Sequence, residues 1–371
     1  MTISEIFPRG IAQGRAFYDR VQERAQLKKN IEHTVHTVLI APRRYGKTSL
    51  MTQVLYENSY PHIWLDFMTI TGREDAQLKV LRKIEWLITQ VAPAGEKLKV
   101  LVTKHFAALK PEIVFKLPGV ELKLHSRDSN REDLIEALIS LDGFASSLKR
   151  RLVIVCDEFQ EILRIDKDAT LQASIRHAAE RAKFITYLFS GSQHRTLQHM
   201  FHGKQNPLYA LCEPMALLKI SASEYVDFIN CAALERWRQR LDDEVMAKIL
   251  EYTDRYPKYI NALCGMVWLE EMPPSVKVLG ELWNSLVISR KTDIASELSE
   301  LTLTQRKLLQ WLCQNQRAGL YSMESALTLK MSQSSIQKAV AALLGKSLVD
   351  LDDAGDYLVL DPTLRSYFQL F

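Results

Sequence analysis

Two short groups of residues carry types and spacing that could do chemistry. Gly46-Lys47-Thr48 follows the apolar run Val38 to Ile40 and precedes the helix-like stretch 49–56. A strand, a tight loop ending in Gly-Lys-Thr and then a helix make a loop for phosphate. Backbone N–H groups and the helix N-terminus face the anion, the lysine reaches the terminal phosphates, and the threonine hydroxyl suits Mg²⁺. The usual pattern begins with glycine, and Ala41 stands in its place, which requires a negative φ there. The second group is Asp157-Glu158, closing the apolar run 152–156. At the carboxyl end of a buried strand, Asp157 is placed to support the metal and Glu158 to orient and polarise an attacking water.

These groups need a parallel sheet to bring them together. The run 62–68 is nearly continuous in apolar character and predicts a second buried strand, and 182–189 predicts another. That last strand runs into Ser190-Gly191-Ser192-Gln193. Ser192 and Gln193 are candidates to touch the γ-phosphate or the catalytic water, with an ordinary Ser/Gly turn as the alternative. Amphipathic helices are expected over 75–90 and 131–148, and the alternation around Pro118-Gly119 predicts a β-hairpin over 112–124, inserted in the nucleotide domain. Ahead of the first strand, Phe17 and Arg20 precede a helix to about residue 32. They either cover a nucleotide base or pack that helix on the sheet edge.

Beyond residue 217 no further strand is expected until the C-terminus. Helices are predicted over 221–237, 242–253 and 257–271, with a linking helix over 275–298. Such a bundle would form a lid. Arg255 and Lys258 are its cations placed to face phosphate, with plain surface charges as the alternative. Thr302-Leu303-Thr304-Gln305 forms a capping box, and Ser332 caps a helix over 336–344. The segment 349–359 then alternates as a hairpin. Three helices and a wing predict a winged helix. The expected divisions are an ATPase core over 1–217, a lid and linking helix over 218–298, and the winged helix over 299–371.

Composition narrows the function classes. The chain has 371 residues, 47% hydrophobic and 25% charged, with a net charge of +4, as expected of a soluble globular protein without a global basic field. Five scattered cysteines without Cys-x-x-Cys spacing argue for reduced thiols rather than zinc or disulfides. No signal peptide and no membrane span is expected, which points to the cytoplasm. The third helix of the winged helix offers Lys338 alone, while the wing carries Asp350, Asp352, Asp353 and Asp356, so charge does not favour DNA.

With these residues laid out, the chain resembles the archaeal-type ATPases of the AAA+/STAND division of P-loop NTPases. The resemblance runs through Asp19-Arg20 and Glu23, Pro42 to Leu50, Asp157 to Ile162, Ser190 to Ser192, Pro207 to Tyr209, Tyr256-Pro257 and Asp361-Pro362. It implies an α/β core with a parallel sheet, a helical lid and a C-terminal winged helix. It also implies ATP with Mg²⁺, bound by Arg20, by Pro42, Arg43, Arg44, Tyr45, Gly46, Lys47, Thr48 and Ser49 of the loop, and by Pro257 of the lid. Thr48 and Asp157 would serve the metal, and Glu158 with Ser192 or Gln193 the chemistry. Two positions depart from the pattern. Ala210-Leu211 stand where Gly-Arg is common, and Asp254-Arg255 where glycines precede the lid proline. The missing arginine favours a nucleotide switch or scaffold with little turnover, and the Asp157-Glu158 pair favours an ATPase. A homo-oligomer, a protein partner and a DNA-binding regulator stay open. Arg176, Arg181 and Arg195 are equal candidates for an arginine finger.

Overall fold

The structure is a computed structural model, and it describes residues 3–91, 96–106, 114–117, 120–123, 131–314, 320–351 and 355–371. The chain divides into two compact units. One, the sheet unit, holds Arg20–Ala41 and Lys47–Leu217; the other, the helical unit, holds Met1–Asp19, Pro42–Gly46 and Leu218–Phe371.

The sheet unit contains strands β1 (Thr37–Ile40), β2 (His62–Asp66), β3 (Val114–Leu117), β4 (Val120–Lys123), β5 (Leu152–Asp157), β6 (Ile185–Ser190) and β7 (Glu213–Ala216). Five of them form one sheet in the order β2-β5-β6-β1-β7, every neighbouring pair parallel. Strands this rich in Val, Ile and Leu suit a sheet buried on both faces, and β6 is buried along its whole length. The register sets Leu39 beside Ser190 and Cys156 beside Phe189. The carboxyl ends of β1, β6 and β5 therefore lie side by side, where the loops carrying Lys47, Ser192 and Glu158 begin. Strand β7 was not expected. Its Glu-Pro-Met-Ala sequence lacks strand character, and Pro214 is tolerated because the strand is an edge. The helix Glu96–Phe106, also unexpected, buries Val102 and Phe106 four residues apart. Strands β3 and β4 pair antiparallel with Val114 opposite Lys123. The turn residues Pro118 and Gly119 and the expected hairpin ends at 112–113 and 124 lie outside the described residues.

The helical unit packs two apolar cores. One gathers the helices Ala222–Trp237, Asp243–Thr253, Pro257–Val267 and Val276–Ser289 around Ile229, Ile249, Ile260, Leu279 and Trp283. Ser221 and Glu224 close a reciprocal capping box at its start, and Phe7 from the N-terminal segment meets the Trp268 ring edge-on at 4.6 Å. The single linking helix expected over 275–298 is instead two helices, Val276–Ser289 and Lys291–Ser299, joined at Arg290. The second core holds Leu308, Leu312, Ile336, Leu343, Val349 and Val359. It is built from the helices Leu303–Gln314, Met323–Leu329 and Gln333–Gly345 and an antiparallel hairpin of β8 (Val349–Leu351) and β9 (Tyr357–Val359). The capping box at Thr302 forms, with Gln305 N–H donating to Thr302 Oγ1 at 3.3 Å and Thr302 N–H to Gln305 Oε1 at 3.1 Å. Asp352 and Asp353 of the wing lie outside the described residues. A final helix, Pro362–Leu370, was not expected; Asp361 caps it and Pro362 opens it.

Candidate functional site

Ala41 is buried and is absent from the residues with positive φ, so alanine fits there. The loop turns farther on. Gly46 has φ +85°, a conformation that favours glycine, and Arg44 has φ +71°, which costs a residue with a side chain about 1 kcal/mol.

In the sheet unit the helix Lys47–Glu57 opens with both chemical residues. Lys47 is buried, and its Nζ donates to the Ala41 carbonyl at 2.8 Å. Thr48 Oγ1 donates to Asp157 Oδ2 at 3.3 Å. Asp157 also accepts from the Ser190 hydroxyl and, at 3.1 Å, from the Glu158 N–H. Among the described residues, each partner of this carboxylate is a neutral donor. Glu158 takes a left-handed backbone, φ +48°, immediately after the strand. Its Oε2 accepts from Gln160 Nε2 at 2.6 Å, from Ser192 Oγ at 2.7 Å and from Ser192 N–H at 3.1 Å. Burial pushes the Glu158 carboxyl up, but these donors and the charge of Lys47 outweigh it and hold the group below its ordinary value.

The two acids are thus served by two serines from the end of β6, Ser190 for Asp157 and Ser192 for Glu158. Gly191 between them has a steric reason to be glycine: a Cβ there would stand 1.9 Å from Gln160 Oε1. Sequence reasoning named Ser192 but not Ser190 or Gln160. The Ser-x-Ser spacing was the available signal for Ser190, because alternate residues leave a strand on the same side.

The other expected residues lie as follows. Gln193 is the N-cap of the helix His194–His202, and its Oε1 accepts from Thr196 Oγ1 at 3.2 Å; no contact to Glu158 is among its described bonds. Arg20 is the left-handed N-cap of the helix Val21–Glu32 and pairs with Glu23 at 2.9 Å. Arg43 is exposed, while Pro42, Tyr45 and Ser49 are half-buried. Tyr45 meets Tyr256 edge-on at 5.2 Å, and Pro257 is the first residue of its helix. Arg255 donates to the Ile220 carbonyl at 3.3 Å. Arg176 is committed to the Pro207 and Tyr209 carbonyls, at 2.6 and 2.9 Å. Where the resemblance leads one to expect glycine, the backbone is left-handed all the same: Ala210 has φ +55°, Asp254 +47° and Arg255 +57°. Asp254 is held there by Lys219 at 2.6 Å and Arg365 at 2.8 Å.

The helical unit holds a cluster around the buried Asp361 that the sequence did not announce. Arg44 of the loop donates to Asp361 and to the Tyr259 hydroxyl. Arg290, at the break between the two linking helices, reaches the same partners at 2.9 and 2.7 Å. Asp361 is 6% exposed and also accepts from Thr363 N–H at 2.9 Å and Thr363 Oγ1 at 2.7 Å. Burial alone would raise its carboxyl; Arg44 and Arg290 hold it well below the usual carboxylate range. Burial, followed by the repulsion of Arg44 and Arg290, lowers the neighbouring Lys258.

No protein-family model matches the sequence, and no curated protein matches it either. Solved structures do. The Walker-type ATPase PABY2304 of Pyrococcus abyssi is 17% identical, with 96% of this chain and 97% of that chain covered at a TM-score of 0.69. The ORC2 protein of Aeropyrum pernix, solved in ADPNP-ADP complexes, is 14% identical, with 95% and 93% covered at 0.54. The chain shares the α/β fold of these two structures, with the five-stranded sheet parallel throughout. The likeness extends over nearly the whole of both chains.

Proposed function

We propose that this protein binds ATP with Mg²⁺ and hydrolyses it, and that the nucleotide state is passed to the lid and the winged helix. The observation that carries this reading is the meeting of Thr48 and Asp157, with Lys47 before the one and Glu158 after the other. Hydroxyl and carboxylate oxygens held 3.3 Å apart are the hard donors that Mg²⁺ prefers, and among the described residues no cation pairs with Asp157. When bound, the metal would neutralise phosphate charge. The loop backbone from Pro42 to Gly46, with Ser49, would cradle the phosphates, and Lys47 would leave the Ala41 carbonyl to reach them. Arg43 and Arg44 would add charge from the loop; Tyr45, Arg20 and Pro257 would border the nucleotide. Glu158 would polarise the attacking water, held in place by Ser192, while Gln193 lies one residue farther on.

Arg44 of the loop is bonded to Asp361 at the start of the final helix. A switch with little turnover is the second reading, favoured by Ala210-Leu211 standing where Gly-Arg is common. The exposed third-helix residues Gln333, Ser334, Gln337 and Lys338 bring one cation, so DNA binding is the weakest reading. No described helix is long and apolar enough to cross a membrane. A second copy or a protein partner is left to supply any arginine finger.

An ATP turnover assay of the full chain, with mass measured with and without nucleotide, tests this. Glu158→Gln should retain ATP and lose turnover by about 10²-fold or more. Turnover equal to the parent's would move the catalytic role elsewhere, and a parent that never turns over would put the switch first.

A further inference from the structure

We propose that Gln160 is a positioning residue for Glu158, fixing one carboxylate oxygen so that the other is the one presented to water. The proposal rests on the hydrolytic reading above. A glutamate has three rotatable bonds and, left free, would spread over rotamers of which few aim at a bound water. Here Oε2 is anchored by Gln160 Nε2 at 2.6 Å and by the Ser192 hydroxyl and N–H, while no described donor takes Oε1. The anchor is itself rigid. Gln160 sits in the short 3₁₀ turn Phe159–Glu161, two residues beyond Glu158, and is 4% exposed. That turn is pinned by Phe159, whose ring lies edge-on to Phe189 at 4.7 Å and to Phe67 at 4.9 Å.

A role in packing alone does not account for an amide at this place. Gln160 Oε1 is buried without a hydrogen-bond partner, a penalty that an apolar side chain of the same length would avoid. The amide's only other described bond is a long one, 3.5 Å, to Ser192 Oγ. The neighbouring chain is shaped to admit it, since a Cβ on Gly191 would fall 1.9 Å from that oxygen. Two positions, 160 and 191, thus combine to set an N–H against Glu158.

Gln160→Met keeps the length and removes the donor. In the full chain its kcat should fall about 10-fold or more, while KM for ATP stays within about twofold. In a Glu158→Gln background the same change should add nothing, because the group it positions is gone. Gly191→Ala, which pushes the amide from the other side, serves as an independent variant and should give the same split. A loss confined to KM, or an equal loss with and without Glu158, would overturn the proposal. Should the parent show no turnover, the hydrolytic reading fails by itself. Crystal structures of the parent and Gln160→Met then decide: a carboxylate that leaves Ser192 supports positioning, and one that stays contradicts it.

Discussion

Asp157 and Asp361 invite comparison, because each is a carboxylate at the end of a strand-turn passage and each is held by hydroxyl and backbone donors. They differ in the charge they meet. Asp361 faces the guanidinium groups of Arg44 and Arg290. Asp157 faces Thr48, Ser190 and its own neighbour's N–H. A buried carboxylate with two cations has its charge answered from within the chain and acts as a structural tie. One held only by neutral donors keeps its charge for a ligand. On the proposed reading the two units divide accordingly: the helical unit's cluster ties the chain together, and the sheet unit's cluster takes the ligand.

The largest expected effect is on the tie. Asp361→Ala leaves the half-buried Arg44 and Arg290 without their shared carboxylate, which should cost about 3–5 kcal/mol of stability in urea unfolding of the full chain. Arg44→Ala leaves Asp361 still paired with Arg290 and should cost only about 1–2 kcal/mol, while weakening ATP binding. Equal losses from the two variants would contradict Asp361 as the hub that both arginines share.

A smaller effect separates the units by pH. His36 in the sheet unit accepts the Tyr187 N–H at its Nδ1, 3.2 Å away, and pairs with the Ala179 carbonyl at 2.8 Å through Nε2. That arrangement requires the neutral ring, and burial lowers its pKa. The unfolded chain therefore takes up the proton first, and stability is lost as pH falls below about 6.5. Asp361 is lowered too, so its contribution persists until pH falls below about 4, where the unfolded carboxyl begins to protonate. Thermal unfolding across pH should show the first loss removed in His36→Gln and the second removed in Asp361→Asn. A loss near pH 6 that survives His36→Gln would assign it to another group.

Much of the sheet unit could be read from the chain because its signals are local. Val38 to Ile40 before the Gly-Lys-Thr, and the apolar run closing at Asp157-Glu158, announce their strands within a few residues. The partners were illegible for the opposite reason. Arg44 and Asp361 are 317 positions apart, and nothing local marks either as half of an ion pair. Gln160 sits inside the Asp157 to Ile162 stretch, yet the role proposed for it rests on Ser192 and Gly191 being brought against it. Strand β7 has no strand pattern of its own and exists through its pairing with β1. The break at Arg290 interrupts a periodicity that reads as continuous, because the arginine turns inward to Asp361 and Tyr259.

Calorimetric titration of the full chain with ATP, in the presence and absence of Mg²⁺, tests the central claim most directly. Lys47 donates within its own loop, to the Ala41 carbonyl, an acceptor that phosphate would replace on the proposed reading. The parent should bind, more tightly with Mg²⁺ than without, and Lys47→Ala should lose about 1.5–3 kcal/mol of affinity while keeping its unfolding transition. Affinity unchanged in Lys47→Ala and indifferent to Mg²⁺ would contradict the assignment of this cluster to nucleotide.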